Sequence, residues 1–165
     1  MSAGDARPPA GLRITASAEA TEALGEALAA GLAPGDVLAL SGPLGSGKTR
    51  FVAGLARGLG VAARVRSPSF TLLNEYRGRL ELFHLDLYRV PEIDVADLGL
   101  EERLERGVLA VEWGEKLPAS LRADALALRF EIRSAAERAI DAEGRGPRGA
   151  QLLARWRALP LVEVP

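Results

Sequence analysis

Hydrophobic side chains recur along this chain at two spacings, and the switches between them predict its strands and helices. Leu12-Arg13-Ile14-Thr15 alternates apolar with polar and predicts a short strand. Ala20, Leu24, Ala27 and Leu28 then share one helical stripe, with Ser17 as N-cap and the Gly31 to Gly35 stretch as terminator. Val37-Leu38-Ala39-Leu40 is continuously apolar, as a buried strand is, and Phe51, Val52, Leu55 and Leu59 return to helical spacing. Phe70 to Tyr76 is rich in strand formers and, across the turn Arg77-Gly78-Arg79, predicts a hairpin with Leu80 to Leu85. Pro91 opens a mostly helical stretch to Arg106, with Leu98, Leu100 and Leu104 on its apolar side. Val108-Leu109-Ala110-Val111 predicts a central strand covered on both faces. Ala125 to Ile132 alternates, with Leu126, Leu128, Phe130 and Ile132 on one side, and a partner strand is expected at Arg138 to Ala142. Pro147 to Leu159 reads as a last helix with Leu152, Leu153, Trp156 and Leu159 inward.

This order of elements predicts an α/β fold whose mixed parallel and antiparallel sheet is flanked by helices. No repeat or linker divides it, so residues 11–160 are expected to form a single domain. Residues 1–10 are small, polar and proline-bearing and are expected to be disordered, and residues 161–165 form a tail.

The chemistry concentrates between the first apolar run and the helix after it. Gly42-Pro43-Leu44-Gly45-Ser46-Gly47-Lys48-Thr49 matches G-x-x-x-x-G-K-[ST], the phosphate-binding loop of P-loop nucleotidases. Out of context these eight residues would be a glycine-rich turn. Here a strand leads in and a helix leads out, as the chemistry requires. The glycines adopt conformations closed to other residues, and successive N–H groups then form an anion nest at a helix N-terminus. Lys48 would reach the β- and γ-phosphates, the Thr49 hydroxyl would meet Mg²⁺, and the nucleotide-binding stretch extends to Arg50. The domain is therefore expected to be P-loop NTPase-like, with ATP as substrate and Mg²⁺ as cofactor.

Composition narrows the alternatives. The 165 residues are 48% hydrophobic and 26% charged, with a net charge of −1, so no global attraction to nucleic acid or membrane is expected. The chain has no cysteine and one histidine, which removes disulfides, thiolate nucleophiles and histidine- or cysteine-built metal sites. Its apolar runs are too short to span a bilayer, and its N-terminus lacks the layout of a signal peptide, so a cytoplasmic location is expected. Only two of its 21 basic residues are lysines, Lys48 and Lys116. Arg64, Arg66, Arg77 and Arg79 form a local basic group that either touches RNA phosphates or is a solvated face.

A P-loop enzyme needs a carboxylate at the end of a neighbouring strand, to hold Mg²⁺ or orient the attacking water. Glu112, ending Val108 to Val111, and Asp86, ending Leu82 to Leu85, both qualify, and periodicity does not say which meets the metal. Ser67-Pro68-Ser69-Phe70-Thr71 is either a switch-like loop whose hydroxyls sense a γ-phosphate or a proline turn entering a strand. Among its apolar neighbours His84 reads as a packed, hydrogen-bonded side chain. Trp113 is either a core residue or a nucleotide-side aromatic.

Taken together, GPLGSGKT (from Gly42), SPSFTLLNEY (from Ser67), FHLDLYR (from Phe83), LGLEE (from Leu98) and VEWGE (from Val111) resemble the bacterial TsaE (YjeE) family. The resemblance covers about Leu12 to Lys116. It implies a small P-loop ATPase needed for threonylcarbamoyl modification of adenosine in certain tRNAs, and with no arginine finger identifiable among the many arginines its intrinsic rate is expected to be low. Such a protein acts with TsaD and TsaB and meets tRNA indirectly, through that complex. It further implies that Thr49 and Glu112 coordinate Mg²⁺, that Asp86 and Lys48 serve hydrolysis, that Ser67 to Thr71 is the switch-like loop and that Trp113 lies near the nucleotide. Pro43 and Gly114 depart from common family choices at positions that supply no essential side chain. Two other readings remain: a nucleotide-dependent clamp with incidental hydrolysis, and a small-molecule kinase, against which the absence of an arginine-rich lid counts.

Overall fold

The computed structural model describes residues 11–160 except 92–94 and 96. The predicted disordered start and the tail lie outside the described residues, as does part of the Pro91 to Arg106 stretch.

Seven strands form one mixed sheet: β1 (Leu12–Thr15), β2 (Val37–Ser41), β3 (Leu73–Arg77), β4 (Glu81–Asp86), β5 (Gly107–Glu112), β6 (Leu126–Ile132) and β7 (Arg138–Gly144). Their spatial order is β1-β7-β6-β2-β5-β4-β3. The central strands β6, β2, β5 and β4 run parallel; β7 and β3 flank them antiparallel, and β1 pairs antiparallel with β7 at the outer edge. Every residue of β5 is buried, the signature of a strand sandwiched between layers.

One face carries helices α1 (Ala18–Ala29), α2 (Lys48–Gly58) and α5 (Gly146–Ala158) over Leu38, Leu40, Val108, Ala110, Leu126 and Leu128. Phe51 of α2 meets Phe130 edge-on at 5.7 Å, with the buried Trp156 of α5 beside it. Helices α1 and α2 approach closely because Gly25 and Gly54 stand at their contact, where a Cβ would strike the Phe51 and Glu22 carbonyl oxygens. The other face is covered by α3 (Leu100–Leu104), a 3-10 turn (Gly114–Lys116) and α4 (Ala119–Arg122), over Val37, Phe83, Leu85, Leu109 and Val111.

Three local expectations change. The hairpin strand begins at Leu73 rather than Phe70, because the chain turns at Pro68 to Leu72 and Leu72 takes a left-handed φ of 69°. Among the described residues of the Pro91 to Arg106 stretch, α-helix is confined to Leu100–Leu104, since Gly99, at φ 64°, interrupts the turn before it. Ile132 ends β6 and is 47% exposed despite continuing the apolar alternation.

The amino end of β2 is closed by charge. Asp36 is fully buried, and its carboxylate accepts from the Ala33 N–H at 2.8 Å and from Nε and Nη2 of Arg148, the latter at 2.8 Å.

Candidate functional site

At the carboxyl end of β2 the backbone turns through Gly42, Gly45 and Gly47 with φ of 136°, 77° and 102°, a conformation in which other residues would be strained. Gly47 is the N-cap of α2, so the loop ends on a helix N-terminus. Lys48 is only 4% exposed. Its ammonium donates to the carbonyls of Gly42 and Pro43, the latter at 3.4 Å, and lies 4.4 Å from the centre of the Trp113 ring. Burial holds its pKa below the usual lysine value, and the carboxylates of Glu112, Glu115 and Asp86 pull it back only in part.

Parallel pairing brings the acids to the same place. Leu40 is in register with Glu112, and Glu112 with Asp86, so both acids reach the mouth of the loop on the α2 face. The Thr49 hydroxyl lies 3.0 and 2.9 Å from the two carboxylate oxygens of Glu112, and His84 Nε2 lies 2.6 Å from Oε2. Asp86 accepts the Tyr88 N–H on Oδ1 at 2.9 Å, and the Leu87 N–H donates to the Glu112 carbonyl at 3.1 Å.

These groups line a cleft of about 300 Å³. Leu44 to Arg50, Ser67, Ser69, Asp86, Glu112 and Trp113 all border it. Gly42 and Pro43 face Lys48 through their carbonyls instead. Within the Ser67 to Thr71 loop the residues part company. The hydroxyls of Ser67 and Ser69 meet at 2.6 Å at the cleft wall, Pro68 is buried, and Thr71 turns to Asn74 at 2.7 Å. Phe70 stands 92% exposed with the Arg89 guanidinium over its ring.

Three further contacts are not visible in the sequence. Arg138, at the start of β7, donates to the Gly45 carbonyl at 3.1 Å across 93 positions, and Ala135 and Ala136 close that wall. Lys116 donates to the carbonyls of Leu87, Tyr88 and Val90 at 2.9, 3.0 and 3.4 Å. His84, read as packed and hydrogen-bonded, has Glu112 as its partner. Each follows from strand order, which no local pattern carries.

The cleft therefore presents a nest of main-chain donors with a buried ammonium, beside a hydroxyl and a carboxylate already in contact. Ser46 Oγ, buried without a partner among the described residues, adds another free polar group to the loop. This donor set suits a polyphosphate with a hard divalent cation. Among the described residues no cluster of three or more His, Cys, Asp or Glu could hold a metal alone, so Thr49 and Glu112 would share it with ligand oxygens and water. Among the described residues no helix is long and apolar enough to cross a membrane.

Comparisons with known proteins agree with one another. The family profile for threonylcarbamoyl adenosine biosynthesis protein TsaE matches residues 15–140. A Bacillus subtilis protein named tRNA threonylcarbamoyladenosine biosynthesis protein TsaE is 42% identical over 128 residues, covering 76% of this chain and 80% of its own. A Synechocystis protein of the same name is 47% identical over 105 residues, covering 60% of this chain and 67% of its own. A crystal structure of Bacillus subtilis YdiB superposes with a TM-score of 0.73 at 36% identity, covering 88% of this chain and 92% of that one. The chain belongs to the TsaE family of threonylcarbamoyl adenosine biosynthesis proteins.

Proposed function

We propose that this protein is a Mg²⁺-dependent ATPase of the tRNA threonylcarbamoyladenosine machinery, working in the cytoplasm to support turnover of the TsaB–TsaD transferase complex. The observation that carries the reading is the meeting of the Thr49 hydroxyl with both oxygens of Glu112 beside the buried Lys48. Membership of the family supports a role in this modification pathway, and the donor set of the cleft supports nucleotide hydrolysis as its contribution.

The residues divide the work. The amides of Leu44 to Thr49 and the Lys48 ammonium would bind and neutralise the β- and γ-phosphates. The Thr49 hydroxyl and the Glu112 carboxylate would hold Mg²⁺, which would supply positive charge against the charge developing on the phosphates. Asp86, one strand further out, would orient the attacking water and accept its proton as ATP and water become ADP and phosphate. Ser67 and Ser69 would report the γ-phosphate, and the Trp113 ring would wall the nucleotide. Lys48 already holds two carbonyls and Arg138 braces the loop rather than reaching over it, so intrinsic turnover is expected to be slow and to rise when partners add a cation.

The test is ATP turnover with and without TsaB–TsaD, together with tRNA modification by the reconstituted system. Lys48→Ala should abolish both. Asp86→Asn should abolish turnover and modification while leaving ATP binding intact. Full modification with Asp86→Asn would mean that the protein acts as a nucleotide-dependent clamp, and wild-type modification with Lys48→Ala would overturn the reading altogether.

A further inference from the structure

The single histidine of this chain, His84, is fully buried in the middle of β4. It shares the α2 face of the sheet with Leu82, Val108 and Ala110. Nothing in that apolar layer calls for an imidazole. Its Nδ1 is buried and without a partner among the described residues, a defect that an apolar side chain of similar size would not introduce. The one polar contact of the ring is Nε2 to Glu112 Oε2 at 2.6 Å. An ionised carboxylate only accepts, so Nε2 carries the hydrogen.

The contact breaks a symmetry. The Thr49 hydroxyl lies almost equally far from both Glu112 oxygens, at 3.0 and 2.9 Å, so it does not choose between them. His84 reaches Oε2 alone. Because β4 and β5 are locked in parallel register, the ring has a fixed base from which to hold that oxygen. We propose that His84 is a positioning residue that holds Oε2 of Glu112 and so turns Oε1 toward the Mg²⁺ site that Glu112 shares with Thr49. The inference rests on the reading of Glu112 as the metal-holding acid. It adds a requirement of its own: the ring is kept for its Nε2–H and not for packing. Outer-shell donors of this kind typically govern metal affinity by about 10- to 100-fold.

The experiment measures ATP binding by calorimetry in EDTA and across a Mg²⁺ titration. In the wild type Mg²⁺ should tighten ATP binding; if it does not, the metal-site reading itself fails, whatever His84 does. Where it does, His84→Leu should raise the Mg²⁺ concentration at half-effect by about tenfold or more while leaving ATP affinity in EDTA unchanged. His84→Gln, whose amide nitrogen can take the place of Nε2, should restore most of the loss. His84→Asn, whose donor stops short at the position of Nδ1, should not. In a Glu112→Gln background His84→Leu should add nothing further. An unchanged Mg²⁺ requirement in His84→Leu overturns the proposal. So does equal damage by Leu, Asn and Gln in both EDTA and Mg²⁺, and so does an additive loss on top of Glu112→Gln.

Discussion

The two ends of β2 both bury charge, and they treat it in opposite ways. At the amino end Asp36 has both oxygens engaged by Arg148, with a third donor from Ala33. At the carboxyl end Lys48 rests on carbonyls and an aromatic face, Glu112 shares its oxygens with a hydroxyl and a histidine, and Ser46 Oγ lacks a partner among the described residues. The first cluster has its buried charge directly paired, so its role is to hold the fold. The second retains capacity that a ligand can take up. Burial of charge therefore does not mark a site; incomplete pairing of buried charge does.

The largest expected effect tests the closed end. Arg148→Met leaves the Asp36 carboxylate buried and uncompensated, and should lower unfolding free energy in urea by about 3–5 kcal/mol. ATP affinity of the folded protein should not change. The open end should behave inversely. Lys48→Met should cost about 100-fold or more in ATP turnover, because in the proposed function it removes a cation that faces developing charge. It should not destabilise the nucleotide-free protein at pH 7. The folded pKa of Lys48 lies below its ordinary value of 10.5, so the fold disfavours the protonated amine. That cost is fully present below the folded pKa and fades as pH rises toward the unfolded value. The Met variant should thus match or exceed wild-type stability at pH 7, with the margin shrinking by pH 10. A loss comparable to that of Arg148→Met would break the contrast.

Ligand should supply what the open end lacks. Mg²⁺ and ATP at about 100 times Kd should add about 2.7 kcal/mol to wild-type stability, a rise in Tm of roughly 5–10 °C, and almost nothing to Lys48→Met. The smallest effect sets the scale for ordinary surface charge. Arg57 pairs with Glu26 and Glu22 at 2.8 and 3.3 Å but is half exposed, so Arg57→Ala should change stability by less than about 1 kcal/mol.

What the sequence reveals here is local, and what it hides is not. The turn-and-helix signals around Gly42 to Thr49 and the apolar runs before Asp86 and Glu112 are legible because each is complete within about ten residues. The strands β2, β5, β6 and β7 and the helices α1, α2 and α5 follow from period alone. The lateral order of the strands does not, and with it go Arg138 beside Gly45, Lys116 beneath Leu87 to Val90, and His84 against Glu112. The late start of β3 is legible only in hindsight, since the strand-forming composition of Phe70 to Leu72 is overridden by the Pro68 turn and the left-handed Leu72. Likewise the leucine spacing that suggests a mostly helical stretch up to Arg106 gives no weight to the left-handed Gly99.

The Lys116 ammonium has three hydrogens, and all three are engaged by carbonyls of the segment that follows Asp86. Lys116 itself ends the turn that follows Glu112 and Trp113. One stem therefore yokes the exits of two strands, and neither exit can swing without dragging the other or tearing several bonds at once. Asp86 and Glu112 are thus carried on a single rigid body, which moves as a whole or not at all.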